Sequence, residues 1–129
     1  MSKTKDLRKV IQTYLLTVCD NVFYEVASDD QMFPHIVWNL TRVNLGDIHR
    51  DDFILDVDLW DRDTDAKDID DTADAIEEMF NANNDPQETI LPTFFRIDRK
   101  NVMDEDKRIK HRILSFQIQN YVRETTDNG

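Results

Sequence analysis

Residues 52–61 alternate in strict register. Phe53, Leu55, Val57 and Leu59 fall on one side of an extended chain, and Ile54, Asp56, Asp58 and Trp60 on the other. Acids in the middle of the second face mean that this strand is covered on one side only. That excludes a central strand of a parallel sheet, which is buried on both faces, and requires a sheet with one wet face and one face packed under helices.

Two segments supply those helices. Leu7, Val10, Ile11, Tyr14, Leu15 and Val18 recur at offsets that make a single helical stripe, with Arg8, Lys9, Gln12 and Thr13 on the solvated face. Ile69, Ala73, Ile76 and Phe80 make a second stripe in a helix expected over about 65–83. Asp65, Asp68, Asp70 and Asp71 crowd its first turns, where the helix dipole favours them. Short strands are expected over 22–26 and 34–42. From 89 to 125 the chain reads as a long hairpin turning at 100–106, and its return arm runs over 107–123. In that arm Ile109 and Ile113 are odd-numbered while Leu114, Phe116, Ile118 and Val122 are even, which predicts a bulge near Ile113–Leu114. The fold class is therefore α+β: a mainly antiparallel sheet with two packed helices, in the order α-β-β-β-α-β-β, with a long C-terminal hairpin. All 129 residues fit one domain, with the last few frayed.

The charge is concentrated. Between Asp47 and Glu78 fourteen acids face three bases, Arg50, Arg62 and Lys67, and this stretch carries the whole formal net charge of −11. The remainder is balanced. A surface of one sign calls for a partner, a cation or an aqueous channel. Asp47, Asp56, Asp58, Asp61, Asp63, Asp68 and Asp71 are the candidate interface or lumen acids. Arg108, Lys110 and Arg112 share one face of the return arm and form a candidate basic ridge for an acidic neighbouring copy. Asp47, Ile48, His49 and Arg50, in the connection containing Gly46, form a candidate assembly loop.

Chemistry finds little purchase. Gly46 and Gly129 are the only glycines, so phosphate-cradling loops are absent. Cys19 is alone, which excludes an intrachain disulfide and fits a reducing compartment. It reads as a packing residue rather than a nucleophile. His35, His49 and His111 have no metal-ligand spacing. The run from Asp61 to Asp65 opens like a calcium loop, but Ala66 stands where the turn needs Gly and Thr72 where a bidentate Glu is required. No catalytic residue, metal site or cofactor is expected, beyond weak non-specific divalent-cation binding. An acidic chain with pI near 4.5 is poorly suited to hold nucleic acid. No apolar run reaches the roughly 20 residues of a membrane span, and the first residues lack a signal-peptide core, so the expectation is a protein of the cytoplasm or of something assembled there.

The runs Val22-Phe23-Tyr24-Glu25, Phe33-Pro34-His35-Ile36-Val37-Trp38 and Phe53-Ile54-Leu55-Asp56-Val57-Asp58-Leu59-Trp60, followed by a helix with Ala73, Ile76 and Phe80, resemble the tail terminator (tail completion) proteins of long-tailed bacteriophages. The resemblance is best over 20–80; outside it the first helix and last hairpin agree in order and length. It implies an α+β fold assembled as a hexameric ring. That ring would cap the tail tube, contacting the major tail tube protein on one side and the head completion or connector protein on the other, in the virion. DNA would be only a cargo passing through it, and no membrane is involved. Other expectations remain open: a different neck or head–tail joining protein, an acidic DNA-mimic inhibitor, or a small enzyme, the last disfavoured because no nucleophile–base pair can be named.

Overall fold

The computed structural model describes residues 3–26, 32–43, 50–62, 66–80 and 90–122. Its elements are α1 (Lys3–Leu16), β1 (Val22–Tyr24), β2 (His35–Val43), β3 (Arg50–Arg62), α2 (Lys67–Met79), β4 (Ile90–Val102) and β5 (Ile109–Val122). The five strands form one sheet in the order β1-β2-β3-β5-β4. Three of its four pairings are antiparallel and β1 alone runs parallel to its neighbour β2. The α+β class and the element order are those expected from the sequence pattern.

Both helices pack on the same side. Phe53, Leu55, Val57 and Leu59 of β3 are buried there with Ile36 and Trp38 of β2, Phe94 of β4 and Leu114, Phe116 and Ile118 of β5. Leu7, Ile11 and Leu15 of α1 and Ile69, Ala73 and Ile76 of α2 complete the core. Each large side chain taken fully out of water stabilises the fold by roughly 1.5–3 kcal/mol. Phe80, just past the end of α2, touches three rings: Tyr14 at 5.9 Å, Phe94 at 4.7 Å and Phe116 at 5.4 Å between centroids. It ties both helices to the hairpin.

Gln12 is not merely solvated. Its side-chain oxygen accepts a hydrogen bond from Trp38 Nε1 at 2.8 Å, and its amide nitrogen donates to the Val22 carbonyl at 3.1 Å. The indole of a buried Trp needs such an acceptor, so this polar side chain pins α1 across β1 and β2.

The expected bulge is displaced. The β4–β5 register shifts between Arg96 and Asp98, on the outgoing arm, leaving Ile97 as the extra, half-exposed residue. β5 itself is regular. Its parity change has another origin: Ile109 and Ile113 lie on the face away from the helices, where Ile113 stands opposite Asp58, while Arg112 takes a helix-side position opposite Leu59. The bulge has a consequence of its own. Residues three apart on a regular strand face opposite ways, yet Arg96 and Arg99 both reach α2 because one extra residue separates them.

Candidate functional site

α2 presents three faces. Ile69, Ala73 and Ile76 are buried against the sheet. Asp70, Asp74 and Glu77 flank that stripe at helical spacing and meet arginines from the hairpin. Arg99 donates to Asp74 at 2.6 Å, to Glu77 at 2.8 Å and to Asp70 at 3.1 Å, while Arg96 reaches Glu77 at 3.3 Å. Arg112 donates from Nε to Asp70 at 2.9 Å. Burial alone would raise the Asp70 carboxyl, but the hydrogen bond and charge of Arg112, then those of Arg99, outweigh it and hold it below the usual range. The third face carries Asp68, Asp71 and Glu78, all exposed, with no base among the described residues shown bonded to them.

The basic ridge expected from the sequence is not continuous. Arg112 is buried, its side chain 9 % exposed, and spends its guanidinium on Asp70 and on the His111 carbonyl. Arg108 lies in the connection before β5 and folds back on Asp106 at 3.2 Å, and the Lys110 ammonium donates to the Lys107 carbonyl at 2.7 Å. The physical reason is the acidic flank of α2: an inward arginine finds its carboxylate within the chain.

The candidate acids are dispersed. Asp56 and Asp58 lie on the sheet face opposite the helices, in a shallow groove of about 680 Å³ with Val37, Ser115 and Lys100. Ser115 Oγ donates to Asp56 at 2.7 Å. Burial, then the neighbouring Asp56 charge, pushes the Asp58 carboxyl up. Asp61 accepts the Arg62 backbone N–H at 2.8 Å. Asp68 and Asp71 stand on the outer face of α2. Asp47, Asp63, Ile48 and His49 lie outside the described residues; of the candidate assembly loop only Arg50 is placed, where it opens β3 and pairs with the buried Asp52 at 2.9 Å.

Beside the groove, rings stack across three strands. Trp60 lies 3.6 Å from His111 and 6.0 Å from His35 between centroids. Both imidazoles are buried, and burial first of all lowers their pKa values. His111 Nε2 stands 3.7 Å from Asp58 Oδ2. Among the described residues no group of three or more His, Cys, Asp or Glu is arranged to hold a metal ion, and no helix is long and apolar enough to cross a membrane.

A second groove, of about 940 Å³, runs between α1 and β1. Arg8 and Lys9 line it above Tyr24, Val26 and Trp38, and the Arg8 guanidinium sits 4.2 Å from the Tyr24 ring centroid. The helical pattern alone places Arg8 and Lys9 on a solvated face. The signal for the groove was three bases at positions 5, 8 and 9, one helical turn opposite the aromatic run of β1.

No family model matches the chain, and no curated protein matches it either. The fold does have a counterpart among solved structures. A chain of the structure titled "Virion of native gene transfer agent (GTA) particle" superimposes with a TM-score of 0.63 at 8 % sequence identity, over 83 % of this chain and 84 % of that one. At that identity the likeness is one of fold: this arrangement of two helices on a five-stranded sheet is also that of a chain in a virion.

Proposed function

We propose that this chain is a non-enzymatic virion component that forms a ring, hexameric by the family resemblance, which terminates a phage tail tube and joins it to the head connector. The observation that carries the reading is the fold shared with a chain of a gene transfer agent virion over more than four-fifths of both chains. The sequence resemblance to tail terminators points the same way. The partition of charge supports it physically. The exposed acids on the outer face of α2, with Asp56 and Asp58 on the open sheet face, suit either a neighbouring copy or an aqueous bore through which DNA slides without being held.

The test is imaging. Tails assembled with this chain, fused to a bulky tag, are expected to carry density at the head-proximal end only, and tails assembled without it to vary in length. Tag density at the connector on tail-less heads would replace the terminator by another neck or head–tail joining protein, which the same fold likeness favours equally. Co-purification with a nuclease or other DNA-binding protein and with no tail component would favour the DNA-mimic reading instead.

A further inference from the structure

The α1–β1 groove and the outer face of α2 are complementary in charge and belong to different elements. β1 is one edge of the sheet and β4 the other, and α2 is clamped to the β4 side through Arg96 and Arg99. The groove carries Lys5, Arg8 and Lys9 against one acid, Asp6, and its apolar lining includes Tyr24, Trp38 and Val26, the last 77 % exposed. The outer stripe of α2 is Asp68, Asp71, Ala75 and Glu78, at offsets of 0, 3, 7 and 10, so the acids project along one line about 15 Å long. Ala75 in the middle keeps that line low enough for a second helix to approach.

The two kinds of acid on this helix have different fates. Asp70, Asp74 and Glu77 are neutralised from within the chain, whereas the outward stripe is not. We propose that the outer stripe of α2 in one copy seats on the α1–β1 groove of the next, Asp71 and Glu78 meeting Arg8 and Lys9, and that this head-to-tail contact is the subunit interface of the ring. The inference rests on the annular reading above and names its contact. Because the two surfaces differ, the contact is heterologous: each copy offers one of each, and successive copies close if the rotation sums to a full turn. Nucleic acid is a poorer occupant, since a chain of net charge −11 repels phosphate.

A charge swap tests it. Arg8→Glu/Lys9→Glu and Asp71→Lys/Glu78→Lys are expected each to raise the midpoint concentration of association, read by sedimentation velocity at physiological salt, by about tenfold or more. An equimolar mixture of the two, and the chain carrying all four changes, should recover to within about threefold of the parent, because every contact again joins opposite signs. All four side chains are exposed; thermal unfolding of each variant checks that it folds, and Arg8→Gln/Lys9→Gln gives a milder version of the same direction. Variants that associate like the parent, or a swap that fails to recover, overturn this interface and leave the ring intact. A parent chain that stays monomeric at every concentration, even with tail tube protein present, overturns the ring as well. Binding of a labelled DNA duplex that is lost with Arg8→Glu/Lys9→Glu would assign the groove to phosphate and overturn the proposal.

Discussion

Asp70→Ala tests whether the arginines of the hairpin hold α2 in place. Arg112 is nearly enclosed, its side chain 9 % exposed, and its partners are the Asp70 carboxylate at 2.9 Å and the His111 carbonyl at 3.2 Å. Removing the carboxylate leaves a buried guanidinium without its counter-charge. For a fully buried pair that costs roughly 3–5 kcal/mol, and for an exposed one under about 1 kcal/mol. Asp70 is 42 % exposed, so water replaces part of what is lost, and the expected cost is about 2 kcal/mol. For a chain of this size that lowers Tm by about 6–10 °C. Asp74→Ala is the control. It also removes a carboxylate from Arg99, but Asp74 is 68 % exposed and Arg99 keeps Glu77 and Asp70, so less than about 0.5 kcal/mol is expected. Urea unfolding of both variants, of Arg112→Met and of Asp70→Ala/Arg112→Met supplies the double-mutant cycle. Equal, small effects of Asp70→Ala and Asp74→Ala, with no coupling between residues 70 and 112, would refute the argument from buried charge.

Two further outcomes come from the ring stack and the core. Burial holds His35 and His111 below the ordinary imidazole value of 6.5, so the folded chain keeps them neutral while the unfolded chain takes up protons below that pH. Stability is then complete above about pH 6.5 and declines as the pH falls through the window down to their folded values. Asp58, Asp104 and Arg112 are the charges around His111; Asp58, whose folded pKa is raised, acts with the opposite sign but only in the carboxylate range. The urea midpoint should drop between about pH 7.5 and 5.5 and drop less in His111→Phe; an unchanged dependence would free His111 from that role. Phe80→Ala removes the ring that meets Tyr14, Phe94 and Phe116 and is expected to cost about 3–5 kcal/mol in the same assay; a loss under about 1 kcal/mol would mean that the helices do not depend on it.

What was legible in the sequence was periodic. The stripe Leu7–Ile11–Leu15 and the alternation Phe53–Leu55–Val57–Leu59 each report one environment repeated along one element, and both are buried as expected. What was not legible depends on elements distant in the chain. β5 inserts between β3 and β4, so the inward side of the hairpin is decided by where α2 lies, and no periodicity within the hairpin reveals that. Arg108, Lys110 and Arg112 therefore read as one exposed ridge, although Arg112 has an acidic helix above it. Apolar parity changes at Ile113–Leu114, which points to a bulge there. The bulge occurs instead at Ile97, where the extra residue brings both Arg96 and Arg99 within reach of Glu77. Among the candidate acids, total charge was visible but its division was not: whether an aspartate is neutralised depends on the strand across from it.

That division gives the acidic segment two separable roles. Asp70, Asp74 and Glu77 take their counter-charges from the hairpin, so they orient α2 on the sheet and contribute to folding. Asp68, Asp71 and Glu78 project away from those arginines, and an exposed acid with no base bonded to it adds little to folding. Self-repulsion along the outer line is instead a standing cost of the separate copy, screened over about 8 Å at physiological salt and relieved when a basic surface covers it. Neighbouring residues of one helix should thus behave differently: loss of Asp70 weakens the fold and leaves association per folded molecule unchanged, whereas reversal of Asp71 spares the fold and weakens association. On the interface proposed above, the segregation of acids into one quarter of the chain would keep separate copies apart until a complementary basic surface is presented.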